Sequence, residues 1–192
     1  MRWRIPGRIS PAHLVGWPLV LLLLLVPGPG RAPVPPARGE SPLRRLLAPA
    51  AELAAAIQWV RYQNARLAGR AELAIARAEG ALALDPRNPA GWEILSAYLA
   101  FDLASAEREA DPAARRRWFE AGLEVARRGA ELASDPRRLA LWRGGLFAAK
   151  ALTDPALPWP GGTPALWREA AEAFGAAGEA EAARAARERA SE

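Results

Sequence analysis

Two stretches of this chain superpose without a gap at an offset of 50 residues: Leu73–Trp92, LAIARAEGALALDPRNPAGW, and Leu123–Trp142, LEVARRGAELASDPRRLALW. Asp85-Pro86-Arg87 and Trp92 recur as Asp135-Pro136-Arg137 and Trp142, and Leu73, Ala76, Arg77, Leu82, Ala83 and Ala90 also find identical partners. A self-similar unit of this length is one helix-turn-helix that cannot bury its apolar face alone and must stack on a copy of itself.

The composition agrees with that reading. Apolar residues make up 51% of the chain, Ala is the commonest of them, and β-branched residues are few, which favours helix wherever Gly and Pro do not intervene. Four segments share one start signal: Ser41-Pro42, Asn88-Pro89, Asp111-Pro112 and Thr163-Pro164 each set a capping side chain before a proline at the first helical position. The spacing predicts an all-α chain of about seven helices, near 42–67, 70–84, 89–109, 112–133, 138–152, 164–176 and 179–190. No stretch alternates as a strand does.

Charge and residue inventory narrow the function. The formal net charge is +5, but Arg2, Arg4, Arg8, Arg31 and Arg38 against Glu40 account for four of those five charges before Ser41. The remainder carries +1 and offers no basic stripe, so nucleic acid is not an expected partner. Without Cys there is no disulfide framework and no thiolate metal site. The single histidine, His13, lies beside the apolar N-terminal run, which leaves the helical part without an imidazole for acid-base or metal chemistry. No metal and no cofactor are expected. Carboxylates at Glu107, Glu109 and Asp111, or at Glu169 and Glu172, are the remaining catalytic candidates, yet Arg108, Arg115 and Arg168 lie close by and a salt-bridged helix face accounts for them. The run Arg115-Arg116-Arg117 reads as solvated surface, with an acidic partner or lipid headgroup as the alternative.

Arg2, Arg4 and Arg8 precede the apolar run Leu14–Val26, and Pro27-Gly28-Pro29-Gly30 ends it. This is the order of an export signal. The 13 residues of the run make about 20 Å of helix, short of the about 30 Å hydrocarbon core. Counting from Ile9 gives 18 residues and about 27 Å, so an uncleaved anchor and a cleaved signal both stay open. The expected division is a signal peptide or signal-anchor over 1–30, a Pro-rich spacer over 31–49 and a helical repeat domain over 50–192. That places the repeat domain outside the cytoplasm, on a single membrane span or else secreted or periplasmic.

The repeat resembles the tetratricopeptide family, whose pattern is Trp-x2-Leu-Gly-x2-Tyr in a first helix and Ala-x3-Phe-x2-Ala-x4-Pro in a second. Ala74, Ala78, Ala81 and Pro86 keep the second-helix spacing, and Trp92, Leu95, Ser96 and Leu99 the first-helix spacing after it. Trp142, Gly145, Leu146 and Ala149 repeat it, and Trp167, Ala170, Ala171, Phe174, Gly178, Ala183 and Ala190 fit near the end. The period departs from the family's 34, with the extra length between Phe101 and Trp118. Glu124, Arg128 and Glu131 occupy positions that the offset assigns to packing residues, so the stripe Phe119, Leu123, Ala126, Ala130, Ala133 is expected to face inward instead. Trp59, Trp92, Trp142 and Trp167 are expected in the core, and Trp159, between Pro158 and Pro160, docked on neighbouring helices.

The resemblance implies a TPR-like α-α superhelix that is a non-enzymatic scaffold, with a concave groove lined by first helices. By spacing, that groove would present Glu93, Ala97 and Phe101, then Arg143, Phe147 and Lys150, and would hold another protein or a peptide segment with acidic and apolar side chains. The family's Lys/Asn carboxylate clamp is missing, since Ala97 and Phe147 stand where asparagines are expected. The expected function is assembly with an envelope protein partner; a helical enzyme or accessory domain using carboxylates, and a self-associating module, are the alternatives.

Overall fold

The computed structural model describes residues 42–192, and their side chains from Ala50 onward. The apolar N-terminal run, its basic flank and residues 31–41 of the spacer lie outside the described residues. Within the described part no helix is long and apolar enough to cross a membrane.

Among the described residues there are seven α-helices and no strand: α1 (Pro42–Leu67), α2 (Ala71–Leu84), α3 (Pro89–Ala97), α4 (Pro112–Leu132), α5 (Pro136–Thr153), α6 (Gly162–Ala176) and α7 (Ala180–Ser191). Helix α3 runs on into a π-helical segment, Tyr98–Leu103. Met1–Leu53 and Ala54–Glu192 form separate units. The described part of the first is regular helix that begins at Pro42, inside the span expected as spacer, and passes through Pro49.

In the second unit, helices adjacent in sequence pack on each other from α2 to α7, and α3 also reaches α5. Small residues permit the close approach. Gly122 of α4 lies so near α3 that a Cβ there would come within 2.8 Å of the Ser96 carbonyl oxygen. Gly129 holds the face of Trp92 in the same way, and Gly144 that of Phe174. One apolar cluster gathers Tyr62, Ala74, Leu82, Trp92, Leu95 and Tyr98, a second gathers Phe119, Leu123, Ala126, Leu146, Phe147 and Leu166, and Trp118 and Trp142 pack against both. Glu124, Arg128 and Glu131 are exposed while Phe119, Leu123 and Ala126 are buried, so α4 presents the face that its apolar stripe predicts.

The caps explain where helices start and stop. Asn88 accepts a hydrogen bond from Ala90 N (3.1 Å), and Asp111 accepts from Ala113 N and Ala114 N. Asp135 accepts from Arg138 N (2.9 Å), which starts α5 at Pro136, ahead of the expected 138. Thr163 does not cap α6. The helix begins one residue earlier, after Gly161 in the left-handed region (φ 81°), and the Thr163 hydroxyl donates to Pro155 O. At the other end α1 closes on Gly69 (φ 70°), with Arg70 N bonded to Ala65 O, a wrap that a residue bearing Cβ resists. The third helix was expected to reach 109 but ends at Leu103. Its last turn widens so that Ala104 N reaches Leu99 O, and the chain leaves the helix there.

Along one edge each Asp-Pro-Arg turn is tied to a segment later in the chain. Ser134 N donates to Arg87 O (2.9 Å). Arg137 donates from Nε to Ala177 O at the C-terminus of α6 and pairs with Glu179, satisfying a carbonyl that the helix itself leaves open.

Candidate binding groove

The clearest concave surface in the repeat unit lies between α1 and α3. A cleft of about 530 Å³ is lined by Trp59, Tyr62, Gln63, Arg66, Ile94, Ala97, Tyr98, Phe101 and Asp102. Its floor is aromatic: Tyr62 and Tyr98 are buried, with rings edge to face at 5.7 Å, and Trp59 stands edge-on to Tyr62 at 5.5 Å. Ile94, 43% exposed, and the half-buried Phe101 supply apolar surface that the described residues leave open.

The rim is polar and ordered by an ion pair. Arg66 Nε donates to Asp102 Oδ2 at 2.9 Å, and the guanidinium sits 6.0 Å from the centroid of the Tyr98 ring. The hydrogen bond to Asp102 is the main reason that the Arg66 pKa is raised. Both partners are more than a third exposed, so the pair fixes geometry more than it stabilises the fold. Burial pushes the Tyr62 phenol upward, partly offset by Arg66. The Tyr98 hydroxyl is buried and has no hydrogen-bond partner among the described residues. A second, smaller cleft of about 390 Å³ is lined by Glu109, Ala114, Arg117, Trp118 and Ala121.

The structure does not assemble the six residues of the expected groove into one open surface. Ala97 and Phe101 line the cleft described above. Glu93 is turned to Arg138, whose Nε and a terminal nitrogen donate to its two oxygens at 2.6 Å. Arg143 is half-exposed, stacked 5.4 Å from the Phe147 centroid and 3.9 Å from Glu169.

Phe147 and Lys150 correct the expectation, since they are 1% and 2% exposed. Phe147 meets Phe119 and Trp159 edge to face at 5.9 and 5.8 Å. Lys150 Nζ donates to Ala104 O (2.8 Å), lies 3.6 Å from Asp154 and sits over the Phe119 ring. Desolvation lowers its pKa, against the pull of Asp154. A lysine in that position secures the core and is not open to a ligand.

The remaining candidates are likewise occupied within the chain. Arg115, expected at the surface, is buried and 3.5 Å from Asp154; Arg116 pairs with Glu120 and lies over Trp159; Arg117 is 3.7 Å from Asp111. Glu109 accepts from Asp111 N while Asp111 caps α4, so these carboxylates are engaged in local structure. No group of three or more potential metal ligands occurs among the described residues. Trp159 docks as its flanking prolines suggest, against Phe119 and Phe147.

Sequence reasoning missed α1 as one wall of the cleft. The signal was present in Trp59, Tyr62 and Arg66, which succeed one another at three- and four-residue spacing on one helix face. Comparison with protein-family models, with curated proteins and with solved structures returns no match.

Proposed function

We propose that this chain is a tetratricopeptide-like repeat scaffold whose α1/α3 cleft holds an apolar segment of another protein, and that its N-terminal apolar run places it at or beyond a membrane. The observation that carries the reading is the cleft itself: an aromatic floor, uncovered Ile94 and Phe101 above it, and an ordered ion pair at the rim. Such a surface favours an apolar anchor side chain that excludes water, with a polar neighbour near Arg66 or Asp102. The offset repeat, the small residues at helix contacts and the buried Trp92, Leu95 and Leu99 support a stacked-repeat architecture in which first helices line the concave side.

A photoreactive phenylalanine analogue at Ala97 should crosslink a discrete protein partner in native membranes, and the same group at the exposed Arg187 should not. Ile94→Glu, a change at an exposed position, should abolish the Ala97 crosslink without altering the melting temperature. Identical products from both positions, or none from Ala97, remove the groove assignment. The address is tested separately by intact mass. A retained Met1–Gly30 in a detergent-requiring form supports an anchor, and a soluble form beginning near Arg31 supports cleavage.

A further inference from the structure

Helix α1 carries two apolar faces. Ala55, Tyr62 and Ala65 are buried against the repeat unit. On the opposite side Ala50, Leu53, Ile57, Val60, Asn64 and Leu67 succeed one another at alternating steps of three and four residues, and every one of them is exposed. Val60 is 62% and Leu67 76% exposed, so these are whole side chains in water and not margins of a buried stripe. A strict three-four alternation is the seam of a two-stranded coiled coil and is narrower than the apolar face of an ordinary surface helix.

We propose that α1 is a homodimerisation helix, and that two copies of this chain pair through this seam, parallel and in register. Placing Leu53, Val60 and Leu67 at the d positions puts Ala50, Ile57 and Asn64 at a. Leucine at two of three d positions with β-branched Ile57 at a is the combination that favours two strands. Asn64 is the decisive residue. An amide at a single a position is satisfied by its own counterpart when two helices lie parallel and in register, and this costs stability while excluding other registers and larger assemblies. In an antiparallel pair Asn64 would face an apolar position and lose that partner.

The flanking positions agree. In the parallel arrangement Arg61 of one copy lies beside Ala56 of the other, and Gln63 beside Ala68, so no like charges meet. An antiparallel pair centred on Val60 brings the two Arg61 side chains together. The seam from Ala50 to Leu67 extends about 27 Å. The repeat unit packs on the far side of the helix, so a second helix can approach without displacing Tyr62 or Ala65.

Because the chain has no Cys, single cysteines report the pairing directly. Full-length Leu53→Cys and Leu67→Cys, purified in mild detergent and oxidised, should each form disulfide-linked dimers in high yield, while Arg128→Cys, exposed on α4, stays monomeric. Sedimentation should show a wild-type dimer whose dissociation constant rises at least 100-fold in Ile57→Glu/Val60→Glu with helicity unchanged. Asn64→Leu should tighten association at least tenfold or give larger species. Crosslinks that form only when the Leu53→Cys and Leu67→Cys proteins are mixed would show an antiparallel pair and overturn the proposal. So would a monomer at all concentrations: with cysteines shielded from a thiol reagent in detergent it would show the seam covered within the same chain, and with shielding only on anionic vesicles it would show a lipid surface as the occupant.

Discussion

Gly122→Ala and Gly145→Ala are the same substitution inside long helices, and the structure assigns them opposite signs. Replacing a mid-helix glycine by alanine removes backbone entropy from the unfolded chain and gains about 0.5–1 kcal/mol where there is room. At Gly145 an added Cβ meets nothing within 4 Å, so the full gain is expected. At Gly122 the same atom would stand 2.8 Å from Ser96 O, 3.0 Å from Ala100 Cβ and 3.1 Å from Ala100 N. Two of these neighbours are backbone atoms of the α3 limb, so no rotamer change relieves the contact and α3 and α4 must part by several tenths of an ångström. Overpacking of this kind costs about 1–3 kcal/mol, and a rigid backbone neighbour places it at the upper end. After the propensity gain, a net loss of about 2 kcal/mol remains. At about 2–4 °C per kcal/mol for a domain near 150 residues, Gly122→Ala should melt about 4–8 °C below wild type and Gly145→Ala about 1–4 °C above it. Thermal unfolding followed by far-ultraviolet circular dichroism, with urea titration of each variant, measures both. Gly144→Ala should fall between them, because its obstacle is the ring of Phe174, which is only partly buried and can swing. If Gly122→Ala and Gly145→Ala melt within 1 °C of each other, to the precision of about that size expected for such scans, the close approach of α3 and α4 is wrong.

Three further outcomes rest on the same packing. Trp92→Ala should cost about 3–5 kcal/mol in urea unfolding, since it empties a buried site and removes the bond from Nε1 to Pro86 O, whereas Trp142→Ala, half-buried, should cost less. Tyr98→Phe should leave the melting temperature unchanged or raise it, because a buried hydroxyl without a partner costs about 1–3 kcal/mol; a clear loss of stability would show that the hydroxyl is satisfied. The folded Lys150 holds its proton less tightly than the unfolded residue, so the unfolded state binds more protons between the lowered folded pKa and the ordinary value of 10.5. The stability of wild type relative to Lys150→Met should therefore be flat below the folded value and climb as pH rises through it, read from melting curves up to pH about 10, below the titration of Tyr62.

How far the sequence carried is clearest where one motif had two outcomes. Asp85-Pro86-Arg87 and Asp135-Pro136-Arg137 are identical, yet the first is a turn before α3 and the second opens α5. The difference lies three residues on. Asn88 precedes Pro89, which bars it from helix and makes it the cap, while Arg138 precedes Leu139 and meets no such bar. The consequence reaches the tryptophans: Trp92 Nε1 finds the free Pro86 carbonyl, but Trp142 Nε1 turns to Ser96 Oγ (2.8 Å). Helix number and most boundaries were legible because capping and periodicity are local. The groove was not, because burial depends on which distant segment arrives. Family spacing put Phe147 and Lys150 on an open face, although two irregularities already stood in the sequence: the extra length after Phe101 and the Pro-flanked Trp159. Those two segments are what close over them. Ala104 and Arg115 come from the first, Asp154 and Trp159 from the second, and together with Phe119 they wall in the only lysine of the chain. The same added length leaves the α1/α3 cleft untouched, so the part of the groove that survives is the part where the repeat keeps its ordinary spacing.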